Sequence, residues 1–340
     1  MLFDDAPSRR FRVIVLGSAM VEIVPAEMGR PLSDMEAMVA LPSGSAANFA
    51  AVLASLGVDV ALMGRVGDDE LGRWLIDRLR QRGIATDLLL PVADQATPVS
   101  FAWMDQRGEK AFYFYRFPGY SDPMSTLTPE QIDVDEIGAC RIFDFTEASV
   151  RNEPLRSAAL RAARLARSAG CAVCYAVNYR PSAWREQTVE QIVVVQREAC
   201  ACADVVVMNG DEAATITDRH EPGSAAQAIA ELGPSTVIVT GGEQGATLLD
   251  DGEIVHVPAR AVDVVYDIGA GDTFHAGLLA ALLSGMSAER ATRFASDAAA
   301  IRISRVATEP NPGFDEVLEF GDHGQSGEEP DANAPLAGSH

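Results

Sequence analysis

Lysine is almost missing from this chain. It occurs once in 340 residues, at Lys110, and the rest of the 27 Lys+Arg positions are arginine. A G-x-x-x-x-G-K-[ST] loop therefore cannot be written anywhere, which excludes a Walker-type phosphate cradle. Positive charge is scarce altogether, and 49 Asp+Glu give a formal net charge of −22. That balance argues against nucleic acid as a partner, because a phosphate backbone is held by a basic face. An anionic membrane surface repels the chain for the same reason.

Long apolar runs are lacking too. None approaches the roughly 18 residues of a membrane-span candidate. The opening residues show no charged start followed by an apolar segment, so a cytoplasmic protein is expected. Cysteine is sparse, at Cys140, Cys171, Cys174, Cys200 and Cys202. Cys171 and Cys174 have the spacing of a redox or zinc pair, but they lie in the apolar run Cys171–Val177. No second pair and no neighbouring histidines complete a metal site, so these thiols are read as core packing.

What is present is a large apolar fraction, 48%, enough for a sizeable core. Short apolar runs at Phe11–Leu16, Val58–Arg65, Arg141–Phe145, Ala172–Val177, Asp204–Met208 and Thr236–Thr240 read as strands. Between them, Ser45–Leu56, a segment from Asp68 or Asp69 to about Arg82, Glu153–Ala169, Val189–Cys200 and about Ser224–Leu232 read as helices, with Gly57 and Gly83 as stops. This alternation predicts an α/β fold with a doubly wound, mostly parallel sheet flanked by helices. Two strand-rich excursions fall outside the pattern, at about 22–42 and 96–118. The second holds Val99–Met104 and Ala111–Phe117, joined by the turn Asp105–Glu109. Together they suggest a small β-sheet lid on a single domain spanning 11–320, with flexible ends at 1–10 and 321–340.

Ligands of such sheets bind at the carboxyl ends of the strands, and four polar groupings fall there. Val262–Leu283 reads as a β-branched strand, a Gly269-Ala270-Gly271 turn and an apolar helix opened by Asp272. Such a turn holds anions on unpaired N–H groups. With a carboxylate beside it, the turn suits phosphoryl transfer with Asp272 as base, or is an ordinary capped turn. Asn209-Gly-Asp-Glu212 suits a hydrated Mg²⁺, or is a capping box. Gly241-Gly-Glu-Gln-Gly245 passes beneath a nucleotide, or closes a hairpin into Ala246–Leu249. Asn178 and Arg180 put an amide and a guanidinium at the rim, or are solvated. None of these is G-x-G-x-x-G, since Phe274 stands where the last turn glycine belongs, so a Rossmann dinucleotide site is poorly supported.

Order and spacing tie the pieces together. Ser43-Gly-Ser-Ala-Ala-Asn-Phe-Ala-Ala-Val-Leu-Ala-Ser-Leu-Gly57, Gly64-Arg-Val-Gly-Asp-Asp-Glu-Leu-Gly72, Asn209-x-x-Glu212, Thr240-x-Gly242-x-x-Gly245 and Gly269-Ala-Gly-Asp272 occur in that order. Over roughly 11–320 the chain resembles the ribokinase-like (PfkB-type) carbohydrate kinases. The resemblance implies ATP and Mg²⁺, with Asp272 as base and the N–H groups of Gly269, Ala270, Gly271 and Asp272 on the transferring phosphoryl group. It implies that Asn209, Thr240, Gly242 and Gly245 border the nucleotide, and that Asn209 and Glu212 reach the metal through water. Glu22, Gly44, Asn48, Tyr115, Arg116, Asn178 and Arg180 would face the sugar, and the lid would exclude water and form a homodimer contact.

The chain also departs from the family. Tyr266-Asp267-Ile268 replaces the usual Asp-Thr opening, so the resemblance leaves K⁺ use open. Ala176 replaces the acid of D-x-N-x-R, and Ser43 replaces a glycine. Ala111–Arg116 and Asn178–Trp184 look most like the 2-keto-3-deoxygluconate kinase and fructokinase branch. Arg116 and Arg180 suit a sugar-acid carboxylate. Phe114 in place of a contacting tyrosine, and Ala307-Thr308 without an acid, leave a neutral ketose equally open. A nucleoside kinase of the same fold and a catalytically weak regulatory relative are the alternatives.

Overall fold

Aliphatic and β-branched runs too short for helices build the centre of the molecule. The computed structural model describes residues 9–26, 36–104, 110–115, 122–179, 181–184, 187–267, 269–306 and 309–325. The chain opens with strands β1 (Phe11–Leu16), β2 (Met20–Pro25) and β3 (Met38–Ser43), helix α1 (Ser45–Ser55), strand β4 (Val60–Gly67) and helix α2 (Glu70–Gln81). Strands β5 (Leu89–Val92), β6 (Val99–Met104) and β7 (Lys110–Tyr115) follow. Next come α3 (Val134–Gly138), β8 (Cys140–Thr146), α4 (Leu155–Ser168), β9 (Ala172–Ala176), α5 (Val189–Ala201) and β10 (Val205–Asn209). The chain continues with α6 (Gly210–Thr217), α7 (Pro222–Ala230), β11 (Thr236–Thr240), β12 (Ala246–Asp250) and β13 (Glu253–Val257). It ends in α8 (Ala270–Leu283), α9 (Ala288–Ile303) and α10 (Phe314–Gln325).

The main sheet has nine strands in the order β13-β12-β11-β10-β9-β8-β1-β4-β5. It is parallel from β11 to β5 and antiparallel only in the β11-β12-β13 edge. Central strands such as Phe11–Leu16 are apolar at nearly every position because helices cover both faces. One buried cluster joins the sheet to α4, α5, α6 and α7, and the other joins it to α1, α2, α8 and α9. Strand order reverses at β8-β1, the crevice where such sheets take their ligands. The two excursions meet as a separate four-stranded sheet, β3-β2-β6-β7. Its turn at 105–109 lies outside the described residues.

Four expectations need correction. Val262–Tyr266 joins no strand, because the hairpin β12-β13 already closes that edge. Instead the N–H groups of Val265 and Tyr266 donate to the Ile303 carbonyl at the end of α9, at 2.8 and 3.0 Å. Residue 320 is not an end, since α10 runs on to Gln325. Arg9 is not loose: it donates to the carbonyls of Ala169 and Gly170 after α4 and to Cys171 Sγ at 2.8 Å, as cations do at a helix C-terminus. Strands β5 and β13 have no counterpart in the reading, because Pro91 and the mixed polarity of Glu253–Val257 hide their period. All five cysteines are free and buried, as expected of core residues.

Two acids, Asp69 half-buried and Asp144 buried, hold the layers in place. Asp69 caps α2 through the Gly72 N–H at 2.7 Å and accepts from the Thr97 N–H and hydroxyl, at 2.8 and 2.7 Å. It thereby ties α2 to the entry of β6. Burial pushes its carboxyl up, but the Thr97 and Gly72 bonds outweigh this and hold it below the ordinary value. Asp144, inside β8, lies 2.9 Å from His275 Nε2 on α8, and the two are 1% and 3% exposed. Burial raises the Asp144 carboxyl and the His275 contact opposes that rise.

A depressed carboxyl stabilises the fold above its unfolded pKa, about 3.9, and loses that contribution as pH falls through the folded value. Asp69→Ala is therefore expected to cost about 1–2 kcal/mol at pH 7, with the deficit shrinking in acid. Urea melts at both pH values measure it, and a pH-independent deficit would refute the assignment. His275→Leu strands a buried carboxylate and is expected to cost about 3 kcal/mol, most of it recovered in the Asp144→Leu/His275→Leu double variant. Equal losses in the single and double variants would show that the two groups are not coupled.

Candidate active site

Five of the longer helices are closed by a side chain at the N-cap. Asp69, Thr188, Asn209, Glu221 and Ser287 each accept from the first turn of the helix that follows. Helix α4 starts at Pro154 without such a cap, and helices α1 and α8 start at glycines, Gly44 and Gly269, which have no side chain to cap with. Both glycines have positive φ, 109° and 88°, which only glycine adopts without strain. At Gly44 a Cβ would also strike the Ser18 carbonyl, at 2.5 Å.

The two helices start side by side. Phe49 in α1 and His275 in α8 meet edge to face, with centroids 4.7 Å apart. Gly17, at the end of β1, packs so closely on Ala46 that a Cβ there would lie 2.5 Å from the alanine Cβ. The open ends of α1 and α8 therefore lie at the carboxyl end of β1, beside the β8-β1 reversal. Two uncapped N-termini at one crevice make an anion site. Asp272 lies on the first turn of α8, half-buried, next to the exposed Gly271. Asn48 lies half-buried on the first turn of α1.

The remaining predicted residues fall along neighbouring strand ends. Asn209 and Thr240 end β10 and β11 in register. Asn178 follows β9 with φ 38°, a conformation that asparagine tolerates. Glu22 on β2 accepts from the Ser100 hydroxyl at 3.4 Å, and Tyr115 ends β7 at 43% exposure, so both belong to the small sheet. Arg116 and Arg180 lie outside the described residues, as do Ile268 and Ala307-Thr308.

At two groupings the fold itself uses the residues. Asn209 and Glu212 form a reciprocal capping box, at 2.8 and 2.9 Å. The other Glu212 oxygen accepts from the Tyr179 N–H at 2.6 Å, which stitches α6 to the segment after β9. In the β11-β12 hairpin, the Gly241 N–H donates to the Gly245 carbonyl at 2.7 Å. A Cβ on Gly245 would lie 2.2 Å from the Val257 carbonyl, so the fold requires that glycine. Gly242 is different, being exposed with nothing near its Cβ position.

Two residues near the turn escape sequence reading. His275 looks like any polar residue in an apolar helix until β8 brings Asp144 to it. Arg302, near the end of α9, is 8% exposed and lies with its guanidinium 5.6 Å from the Tyr266 ring. Burial first, and then the Glu22 charge, push the Tyr266 hydroxyl up to about 12.

Known proteins bear on this geometry. The family model described as "pfkB family carbohydrate kinase" matches residues 10–312. A fructokinase of Vibrio alginolyticus is 31% identical over 80% of this chain and 84% of its own length. A 5-dehydro-2-deoxygluconokinase of Shouchella clausii is 27% identical over 91% and 95%. Aminoimidazole riboside kinase from Salmonella enterica, complexed with aminoimidazole riboside and an ATP analog, superposes with a TM-score of 0.76 at 26% identity, over 91% of this chain and 99% of that one. The ribokinase-like sheet, the glycine-opened helices and these relatives agree, and the chain belongs to the pfkB family of carbohydrate kinases.

Proposed function

We propose that the chain transfers the γ-phosphate of ATP to a hydroxyl of a ketose or sugar acid of the fructose or 2-keto-3-deoxygluconate type. The observation that carries this reading is the pair of uncapped helix N-termini side by side at the β8-β1 crevice, with Asp272 on the first turn of one. In it, Asp272 takes the proton of the attacking sugar hydroxyl. The N–H groups of Gly269, Ala270, Gly271 and Asp272 receive the charge on the transferring phosphoryl group, where fixed dipoles act most strongly. Gly44 and Asn48 at the start of α1 hold the sugar, with Asn178 from the β9 end and Glu22 and Tyr115 from the small sheet. Arg116 and Arg180 belong to the same proposal. The small sheet serves as a lid that keeps water from the phosphoryl group and as the contact of a homodimer. Thr240 and Gly242 border the nucleotide, Gly242 because it is exposed and clear of its neighbours.

Mg²⁺ fits this site as a hydrated ion. No group of three ligating side chains exists among the described residues, and both Glu212 oxygens already accept an N–H. Asn209 and Glu212 would hold such an ion through water and substrate phosphates. Bound there, Mg²⁺ supplies neutralising charge between the phosphates.

Among the described residues no helix is long and apolar enough to cross a membrane, and we place the enzyme in the cytoplasm. Names of the relatives support a ketose or a sugar acid, and the riboside kinase supports a nucleoside as the second reading.

An ADP-release assay over fructose, 2-keto-3-deoxygluconate, ribose and adenosine separates these. Turnover of either of the first two supports the proposal, turnover of adenosine alone favours the nucleoside reading, and ATP binding without turnover favours a regulatory relative. Asp272→Asn is expected to lower kcat by about 10²–10⁴-fold with little change in sugar KM. Undiminished turnover in that variant removes the mechanism. Glu212→Gln is expected to raise the Mg²⁺ concentration needed for half-maximal rate severalfold. If it lowers only the melting temperature, Glu212 is a cap and nothing more.

A further inference from the structure

Arg302 is the only arginine buried among the described residues, at 8% exposure. Several arginines elsewhere, Arg73, Arg151, Arg156, Arg260 and Arg293 among them, pair with carboxylates, whereas Arg12 and Arg65 donate to carbonyl or hydroxyl oxygens. Arg302 pairs with no carboxylate among the described residues. Among the described residues its hydrogen bond runs from Nη1 to the Val306 carbonyl at 3.5 Å, and its guanidinium packs against the Tyr266 ring at 5.6 Å. A buried charge without a counter-charge is costly, and a guanidinium does not escape the cost by losing its proton.

Its position compounds that cost. Nε lies 3.9 Å from the point that a Cβ on Gly269 would occupy. The cation therefore sits at the N-cap of α8, where the helix dipole is already positive and a carboxylate is the favoured neighbour. Glu309 lends it partial compensation, while Arg305, itself paired with Glu316, adds repulsion. Two positive sources converge on one uncapped turn, and an anion bound there relieves both.

We propose that Arg302 is an electrostatic positioning residue for phosphoryl transfer: it supplies a built-in positive charge from behind the Gly269 turn, in place of any monovalent cation from solution. The inference rests on reading Gly269–Asp272 as the phosphoryl-holding turn. Arg302 touches no reacting atom. It acts through the turn, raising the attraction of the Gly269–Asp272 N–H groups for charge that develops on the phosphoryl oxygens. Because the charge is part of the chain, turnover is indifferent to the monovalent salt in the buffer.

The test compares wild type, Arg302→Lys and Arg302→Met in sodium, potassium and tetramethylammonium buffers, with and without dilute guanidinium chloride. Wild type is expected to keep the same kcat in all three salts. Arg302→Met is expected to lose about 100-fold in kcat with sugar KM nearly unchanged, to be partly rescued by guanidinium or potassium, and to exceed the loss in Arg302→Lys. A wild-type rate that requires potassium overturns the proposal. So does an Arg302→Met variant with wild-type kcat, or one whose loss no cation rescues and which follows a fall in melting temperature. Binding of ADP with aluminium fluoride, a mimic of the transferring group, reads the same charge without turnover. Arg302→Met should weaken it about 100-fold while ADP alone changes less than about threefold. Should wild type phosphorylate no sugar, the kinase reading fails, and this binding difference still decides the role of Arg302.

Discussion

An α-helix leaves its first N–H groups without partners, and something must satisfy them. In this protein the usual solution is a side chain, as Asp69, Thr188, Asn209, Glu221 and Ser287 show. At α1 and α8 the fold withholds that solution and places a left-handed glycine instead. The rest of the architecture follows from keeping those two ends open and together. Helix α8 is apolar almost all round because it is buried between the sheet, α1 and α9, with Thr273 to Leu283 all buried. An end so firmly held cannot move to find its own partners. It waits for a ligand.

Charge gives a reason for the backbone role proposed at these helix ends. A chain with a formal net charge of −22 repels a polyanionic substrate at long range. Helix ends, and a guanidinium shielded from solvent at Arg302, raise the potential locally, where dielectric screening is weak. Fixed dipoles need no reorganisation at the moment of reaction, which is their advantage over mobile charges.

Several residues serve the fold and the proposed chemistry together. Glu212 is bound by the Asn209 and Tyr179 N–H groups, so its carboxylate is oriented before any metal arrives. His275 sits one turn from Asp272 and is tied to β8 through Asp144, which holds the Gly269–Asp272 turn against the sheet. Asp69 joins α2 to the strand entering the small sheet. In each case a polar group leaves solvent wholly or partly because it has partners, and at least one partner comes from an element distant in sequence.

The sequence by itself determined the layers. Apolar runs of strand length, alternating with helical segments, gave the parallel sheet, and the glycine turns with Asp272, Asn209 and Glu212 pointed to the carboxyl ends of its strands. These signals are local, carried by period and by residues such as Gly57, Gly83 and Gly269 whose conformations are special. Tertiary structure decided what local pattern cannot carry. Val262–Tyr266 has strand composition but no free edge to join, and β5 and β13 pair despite weak patterns because neighbouring strands supply their partners. Nothing in the order of residues brings Asp144 to His275, or Arg302 to Gly269. Those contacts depend on how α8 and α9 pack on the sheet, since the electrostatics of a buried site are set by whatever the packing places there.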